Sequence, residues 1–120
     1  MLDNVYCVQY TLFMRTILYL KLKNGKSPLI DWLDSLDKVV SMRIKSRLIR
    51  LEMGNYGDCK KLVNSELSEL RCNFGKGYRI YCAEIGDTIL LLVNGGDKSS
   101  QAKDIESARK LLNKWRLEND

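Results

Sequence analysis

The sequence predicts an α+β fold, an antiparallel sheet of four to five strands packed with two N-terminal helices and one C-terminal helix, and three observations predict it. Apolar residues recur every three to four positions from Leu29 to Leu51. Beyond the turn-rich stretch Gly54-Asn55-Tyr56-Gly57-Asp58 the period falls to two. After Asp97 it returns to the helical value, with Ala102, Ile105, Ala108, Leu112 and Trp115 on one stripe.

Taken in order, Thr16 to Lys23 alternates imperfectly in β-favouring residues and reads as a first strand, closed by the turn residues Asn24-Gly25-Lys26. Ser27-Pro28 opens a helix: serine offers an acceptor to the first free amides, and proline loses nothing where its amide would be unpaired. Leu29, Trp32 or Leu33, and Leu36 form its inner face, and Asp37-Lys38 breaks the pattern. A second helix follows with Val40, Ile44, Leu48 and Leu51 inside and Arg43, Arg47 and Arg50 outside. Gly54 ends it, since glycine takes the left-handed conformation that closes helices. Cys59 to Val63 is a short basic strand, and Glu66 to Phe74 and Tyr78 to Glu84 are strongly β-like. Thr88 to Val93 is almost wholly apolar, as expected of a central strand covered on both faces. Gly75-Lys76-Gly77 and Gly86-Asp87 are the hairpin turns.

At 120 residues the chain makes one domain with a single modest core. Twenty Lys and Arg against fifteen Asp and Glu give a formal charge of +5. That suits a polyanionic partner such as RNA, DNA or an acidic protein segment, and equally a soluble protein that is merely basic. Between Lys38 and Lys61 the cations Lys38, Arg43, Lys45, Arg47, Arg50, Lys60 and Lys61 meet only Glu52 and Asp58, so part of the surface should be positive. The four cysteines form no CxxC pair and there is no histidine, so no zinc site of the usual ligand sets is expected. Cys72 and Cys82 read as small buried residues, and the reduced, cytoplasmic setting is the default. Without histidine, acid/base chemistry falls to Lys, Arg, Tyr, Cys or carboxylates.

Strand alternation sorts the central hairpin into faces. Leu70, Cys72 and Phe74 point one way, and Glu69, Arg71 and Asn73 the other. On the next strand Arg79 and Tyr81 share a face, opposite Tyr78, Ile80 and Cys82. If the apolar sets cover the core, Arg71, Asn73, Arg79 and Tyr81 lie together on an exposed concave side. Lys98 reaches the same place, and Lys60, Lys61 and the turn residue Lys76 flank it. Such a cluster suits RNA cleavage by attack of a ribose 2′-hydroxyl on the adjacent phosphate, because fixed guanidinium groups favour the more negative transition state. A lysine among arginines has its charged form disfavoured and can act as base. Tyr81 is expected to relay a proton or to stack on a base. Arg47, on the arginine stripe, is a further candidate RNA contact. The competing structural roles are that Arg71 pairs with Glu69, that Arg79 pairs with Glu66 or Glu84, and that Asp97 caps the last helix. Gly95-Gly96 lacks the remaining residues of a phosphate-binding loop.

The stretch Glu69-Leu70-Arg71-Cys72-Asn73-Phe74-Gly75-Lys76-Gly77-Tyr78-Arg79-Ile80-Tyr81, followed by Asn94-Gly95-Gly96-Asp97-Lys98-Ser99, resembles the RelE/ParE toxin superfamily, specifically its HigB-like addiction module killer branch. ELRxxFGxGYRxY and GGDKSxQxxDIxxA recur there at this separation. The resemblance runs from about Leu20 to about Trp115. It implies a RelE-like fold and the toxin of a type II toxin–antitoxin system, an endoribonuclease that cuts messenger RNA in the ribosomal decoding site and inhibits translation. Arg71 and Arg79 match two basic active-site positions of that branch, and Lys98 matches the basic residue after the last strand. Asn73 stands where a second basic residue of its strand is usual. Asp104 stands about where some RelE proteins carry a tyrosine that HigB-like proteins commonly lack. The implied partners are a small helix-turn-helix antitoxin of HigA type, the ribosome and messenger RNA, with no metal, small-molecule cofactor or membrane. The antitoxin would cover the basic sheet face or dock along the first and last helices, with Trp32 and Trp115 as aromatic anchors.

Two alternatives stay open: a ParE-type non-enzymatic inhibitor of DNA gyrase, and a degenerate toxin that only binds its antitoxin. The ParE branch generally lacks the cations of the sheet face, so Arg71, Arg79 and Lys98 together favour the nuclease. Residues 14–120 then form the domain, and 1–13 an extension that is an added strand, a flexible tail or the product of an upstream start with Met14 as the usual one. Neither a signal peptide nor a bilayer span is expected there. Asp3 occupies the region that should be basic, Arg15 interrupts the apolar run, and a span needs roughly 20 apolar residues.

Overall fold

A computed structural model describes residues 16–119, in the order β1 (Thr16–Tyr19), α1 (Pro28–Ser35), α2 (Lys38–Glu52), β2 (Cys59–Lys61), β3 (Leu67–Cys72), β4 (Tyr78–Ile85), β5 (Ile89–Gly96), a short 3-10 turn (Lys98–Ser100) and α3 (Gln101–Glu118). The expectation for residues 1–13 lies outside this range. Among the described residues no helix is long and apolar enough to cross a membrane.

The architecture is α+β, with a five-stranded sheet in the order β1-β5-β4-β3-β2. The sheet is mixed rather than antiparallel throughout, because β1 runs parallel to β5 while every other neighbouring pair is antiparallel. A two-residue periodicity reports which side chains share a face and carries no strand direction. β1 and β5 are joined by no hairpin, so nothing local imposes the antiparallel sense.

Both faces of the sheet are covered. Leu70, Cys72, Tyr78, Ile80, Cys82, Leu90 and Leu92 pack against Leu29 and Leu33 of α1 and Ile44, Leu48 and Leu51 of α2. On the other face Leu67, Tyr81, Ala83, Leu91 and Val93 pack against Ala108 and Leu112 of α3. β5 contributes to both cores, which is why its run is almost wholly apolar.

Local chemistry fixes where the helices begin. The Asp37 carboxylate accepts from the amides of Val39 (3.0 Å) and Val40 (3.4 Å) and caps α2. Asp97 accepts from the Ser99 amide at 2.9 Å and caps the turn into α3, as its position suggested. Ser27 differs from expectation: it makes no side-chain cap bond, and the start of α1 rests on Pro28.

The β4–β5 ladder slips by one residue between Tyr81, paired with Asn94, and Cys82, paired with Leu92. Val93 is the extra residue and packs in the α3-side core, while Asn94 Nδ2 donates to the Asp104 carbonyl of α3 at 3.1 Å. The bulge brings Gly95 and Gly96 to the crowded end of the sheet. A Cβ on Gly95 would lie 2.4 Å from the Trp32 ring, and one on Gly96 would lie 1.8 Å from Asp104 Oδ2. The glycine pair therefore lets α1 and α3 close on opposite faces of the same strand end.

Candidate functional site

The site is built on the β3–β4 hairpin, where Arg71 and Arg79 are direct cross-strand partners. Like charges at paired positions repel. Glu69 resolves the conflict from two residues earlier on the same face. Its side chain is 1% exposed, and it accepts from Gln101 Nε2 at 2.7 Å, Arg71 Nε at 3.1 Å and the Tyr81 hydroxyl at 3.2 Å. Arg79 Nε lies 3.4 Å from Glu69 Oε2, at ion-pair distance but without hydrogen-bond alignment. Burial pushes the Glu69 carboxyl up, but the bonds from Gln101 and Arg71, the charge of Arg79 and the Tyr81 hydroxyl outweigh it. They hold the group below its ordinary value, so it is ionised at neutral pH.

Tyr81 departs from expectation. It is fully buried beneath α3 instead of lying on an exposed concave face. Burial, then the neighbouring Glu69 charge, raise its phenol above the ordinary value, so the hydroxyl keeps its proton and donates to Glu69. It cannot stack on a base, because α3 occupies the space a base would need. Alternation had identified its face correctly without showing that a helix covers that part of the face.

Arg79 is anchored at both ends of its head group. Nη1 donates to the Gly77 carbonyl at 2.9 Å, and the side chain is 13% exposed. The predicted structural partner is thus the wrong glutamate: Glu69 pairs with Arg79, where Glu66 pairs with Arg116 of α3. Arg71, at 34% side-chain exposure, keeps an open edge and lies 3.9 Å from Asp58. Asn73 is exposed and donates to Asp58 Oδ2 at 2.9 Å.

The lysines form the rim. Lys98 is exposed in the 3-10 turn, and its amide donates to the Lys76 carbonyl at 3.3 Å. A Cβ on Gly77 would lie 3.4 Å from both Arg79 Nη1 and Lys98 Cβ, so these side chains flank the turn glycine from two sides. Lys76, Asp97, Lys98 and Ser99 line an open depression of about 490 Å³. Lys60 pairs with Glu69 and shares the site face, whereas Lys61 pairs with Ser68 and points to the opposite face. Arg47 also departs from expectation and is no exposed RNA contact: it is 7% exposed and donates from Nη2 to the carbonyls of Tyr56 and Asp58. It lies on the inner side of α2 with Ile44, Leu48 and Leu51, and it pins the Gly54–Asp58 loop that carries Asp58 to the site. Trp32 and Trp115 lie against opposite cores and form no common rim.

Three residues of the network were not singled out as site residues from sequence. Glu69 was visible as a possible partner of Arg71. Its pairing with Tyr81 follows from counting back across the hairpin from Cys72 and Tyr78. Gln101 and Asp58 come from other elements, and strand alternation carries no signal for them. Among the described residues no cluster of His, Cys, Asp and Glu is arranged to hold a metal ion.

The chain is 42% identical over 82 residues to a Haemophilus influenzae (strain Rd) protein described as uncharacterized, a match that covers 68% of this chain and 82% of that protein. The chain belongs to the family of this Haemophilus protein. No family model matches it. What the site can do chemically rests on its own residues. The cations Arg71, Arg79, Lys60, Lys76 and Lys98 outnumber the carboxylates Glu69, Asp58 and Asp97, and all three carboxylates are committed to holding neighbours in place.

Proposed function

We propose that the protein has a RelE-like fold and is the toxin of a type II toxin–antitoxin system, an endoribonuclease that cuts messenger RNA on the ribosome and so blocks translation in the cytoplasm. The observation that carries this reading is the cross-strand pair Arg71 and Arg79, held as a fixed double fork by the buried Glu69. In the proposed reaction a ribose 2′-oxygen attacks the adjacent phosphorus and the bond to the 5′-oxygen breaks, leaving a 2′,3′-cyclic phosphate and a 5′-hydroxyl. Negative charge grows on the phosphoryl oxygens in the transition state. Guanidinium groups fixed beforehand stabilise it without reorganising, and one such contact is worth about 3 to 4 kcal/mol. We assign phosphate contact to the open edge of Arg71, with Arg79 behind it. Lys98 is assigned proton exchange with the attacking or leaving oxygen, and Lys60, Lys76 and Asn73 follow the RNA backbone. Tyr81 and Glu69 position the arginines and do not touch the substrate.

The partners in this reading are the ribosome with its message and a helix-turn-helix antitoxin, which must restrain a lethal nuclease in the cell that makes it. A second reading is favoured by one observation: both guanidiniums share an internal carboxylate, so the fold itself satisfies part of their charge. The protein would then be a degenerate toxin that only binds its antitoxin. Reconstituted translation separates the two. The nuclease reading expects message cut within ribosome-occupied codons, with cleavage lowered about a hundredfold or more in a folded Arg71→Ala variant. Intact message at every enzyme concentration supports the binding module.

A further inference from the structure

The outer face of α2 carries an apolar seam opposite the core. Val39, Met42, Ile49 and Met53 are 65, 62, 59 and 61% exposed, while Ile44, Leu48 and Leu51 of the same helix are buried. With Ser46 between them the positions run 39, 42, 46, 49, 53, alternating steps of three and four, which is the spacing that keeps one stripe facing a partner helix. An exposed valine or methionine is unremarkable alone, but three along α2 and a fourth at its C-cap, Met53, form one apolar stripe of the kind that marks interaction surfaces. The flanks of the seam are charged with one dominant sign. Lys38 and Lys45 border it on one side and Arg43 and Arg50 on the other, with Glu52 the anion among these flanking positions. Arg43 is already ordered, its guanidinium carbon 3.9 Å above the Phe74 ring.

We infer that this face of α2 docks an acidic amphipathic helix of a partner protein. The seam supplies the apolar contact, and the flanking cations pair with glutamates or aspartates beside the partner's own seam. A second copy of this chain is a poor occupant, since two such helices would set lysines and arginines against one another. RNA suits the flanks but not four large apolar side chains between them. The inference rests on α2 alone and stands apart from the proposed cleavage reaction.

The test uses the full chain and a fluorescent helical peptide of about three heptads with leucine along its seam and glutamate on both flanks, beside a control with lysine for glutamate. Binding is read by fluorescence anisotropy. Oxidation of Met42 and Met53 by dilute peroxide, read by mass spectrometry, reports coverage of the native seam. The acidic peptide is expected to bind and to slow oxidation of both methionines. Ile49→Asp should weaken binding about tenfold or more with its circular dichroism unchanged. The inference is overturned if the lysine peptide binds as well, or if Ile49→Asp binds normally. It is overturned equally if the methionines are protected in the free chain at high dilution, showing coverage by its own residues, or become protected as its concentration rises, showing a second copy. Equal protection by a single-stranded RNA oligonucleotide would make the face a nucleic-acid surface instead.

Discussion

Glu69 decides the behaviour of the residues around it. Two arginines placed opposite each other on adjacent strands destabilise the hairpin unless a counter-charge lies between them, and a buried carboxylate supplies it. Its folded pKa lies below the ordinary 4.5, so the ionised form stabilises the fold above that pH, and the contribution is lost as pH falls through the folded value. Glu69→Gln should therefore cost about 1 to 3 kcal/mol at neutral pH. It should also flatten the loss of stability on acidification below about pH 4.5, both read from urea denaturation. Equal acid slopes in the two proteins would show that Glu69 is not the linked group. Arg71→Ala differs in kind. The side chain is one-third exposed, so its removal should cost about 1 kcal/mol or less in stability while abolishing most of the proposed cleavage. Arg79, nearly buried, is the poorer test, because its loss disturbs fold and site together.

At the scale of elements, the glycine pair at the end of β5 sets how closely α1 and α3 approach. Gly95→Ala would drive a methyl into the Trp32 ring and against the Arg79 carbonyl, 3.1 Å away. The expected cost is about 1 to 3 kcal/mol, read as a lower midpoint in thermal or urea unfolding. An unchanged midpoint would mean that α1 moves freely from the strand. Asp37→Ala should cost about 1 kcal/mol by uncapping α2. The helices and strands were legible because a period of 3.6 or two is local information, and alternation alone put Arg71 and Arg79 on one face. The parallel sense of β1, the bulge at Val93 and the burial of Tyr81 were not legible. The first and the last depend on elements distant in sequence, the bulge is a one-residue slip within the β4–β5 hairpin that alternation does not register, and alternation reports the side of a residue, not what covers that side. Arg47 illustrates the same limit within a helix: its position lies on the apolar side, yet its charge suggested solvent, and only the loop carbonyls it binds explain its burial.

For the whole molecule, two groups among the cations have different companions. On the α3 face they surround a buried carboxylate at the hairpin end, and on α2 they border exposed apolar residues. The first arrangement suits a phosphate backbone, whose binding releases counterions. The proposed association with ribosomes carrying message should therefore weaken steeply as salt rises, as measured by sedimentation across a salt series. A flat salt dependence would show that the cations do not contact phosphate. Cleavage of translated messages, as proposed, is read by mapping message 5′ ends in cells during brief induction of the chain and of its Arg71→Ala variant. The proposal expects new 5′ ends within translated frames, appearing within minutes and absent from the variant. Intact messages accompanied by growth arrest, or by double-strand breaks in DNA, would contradict it.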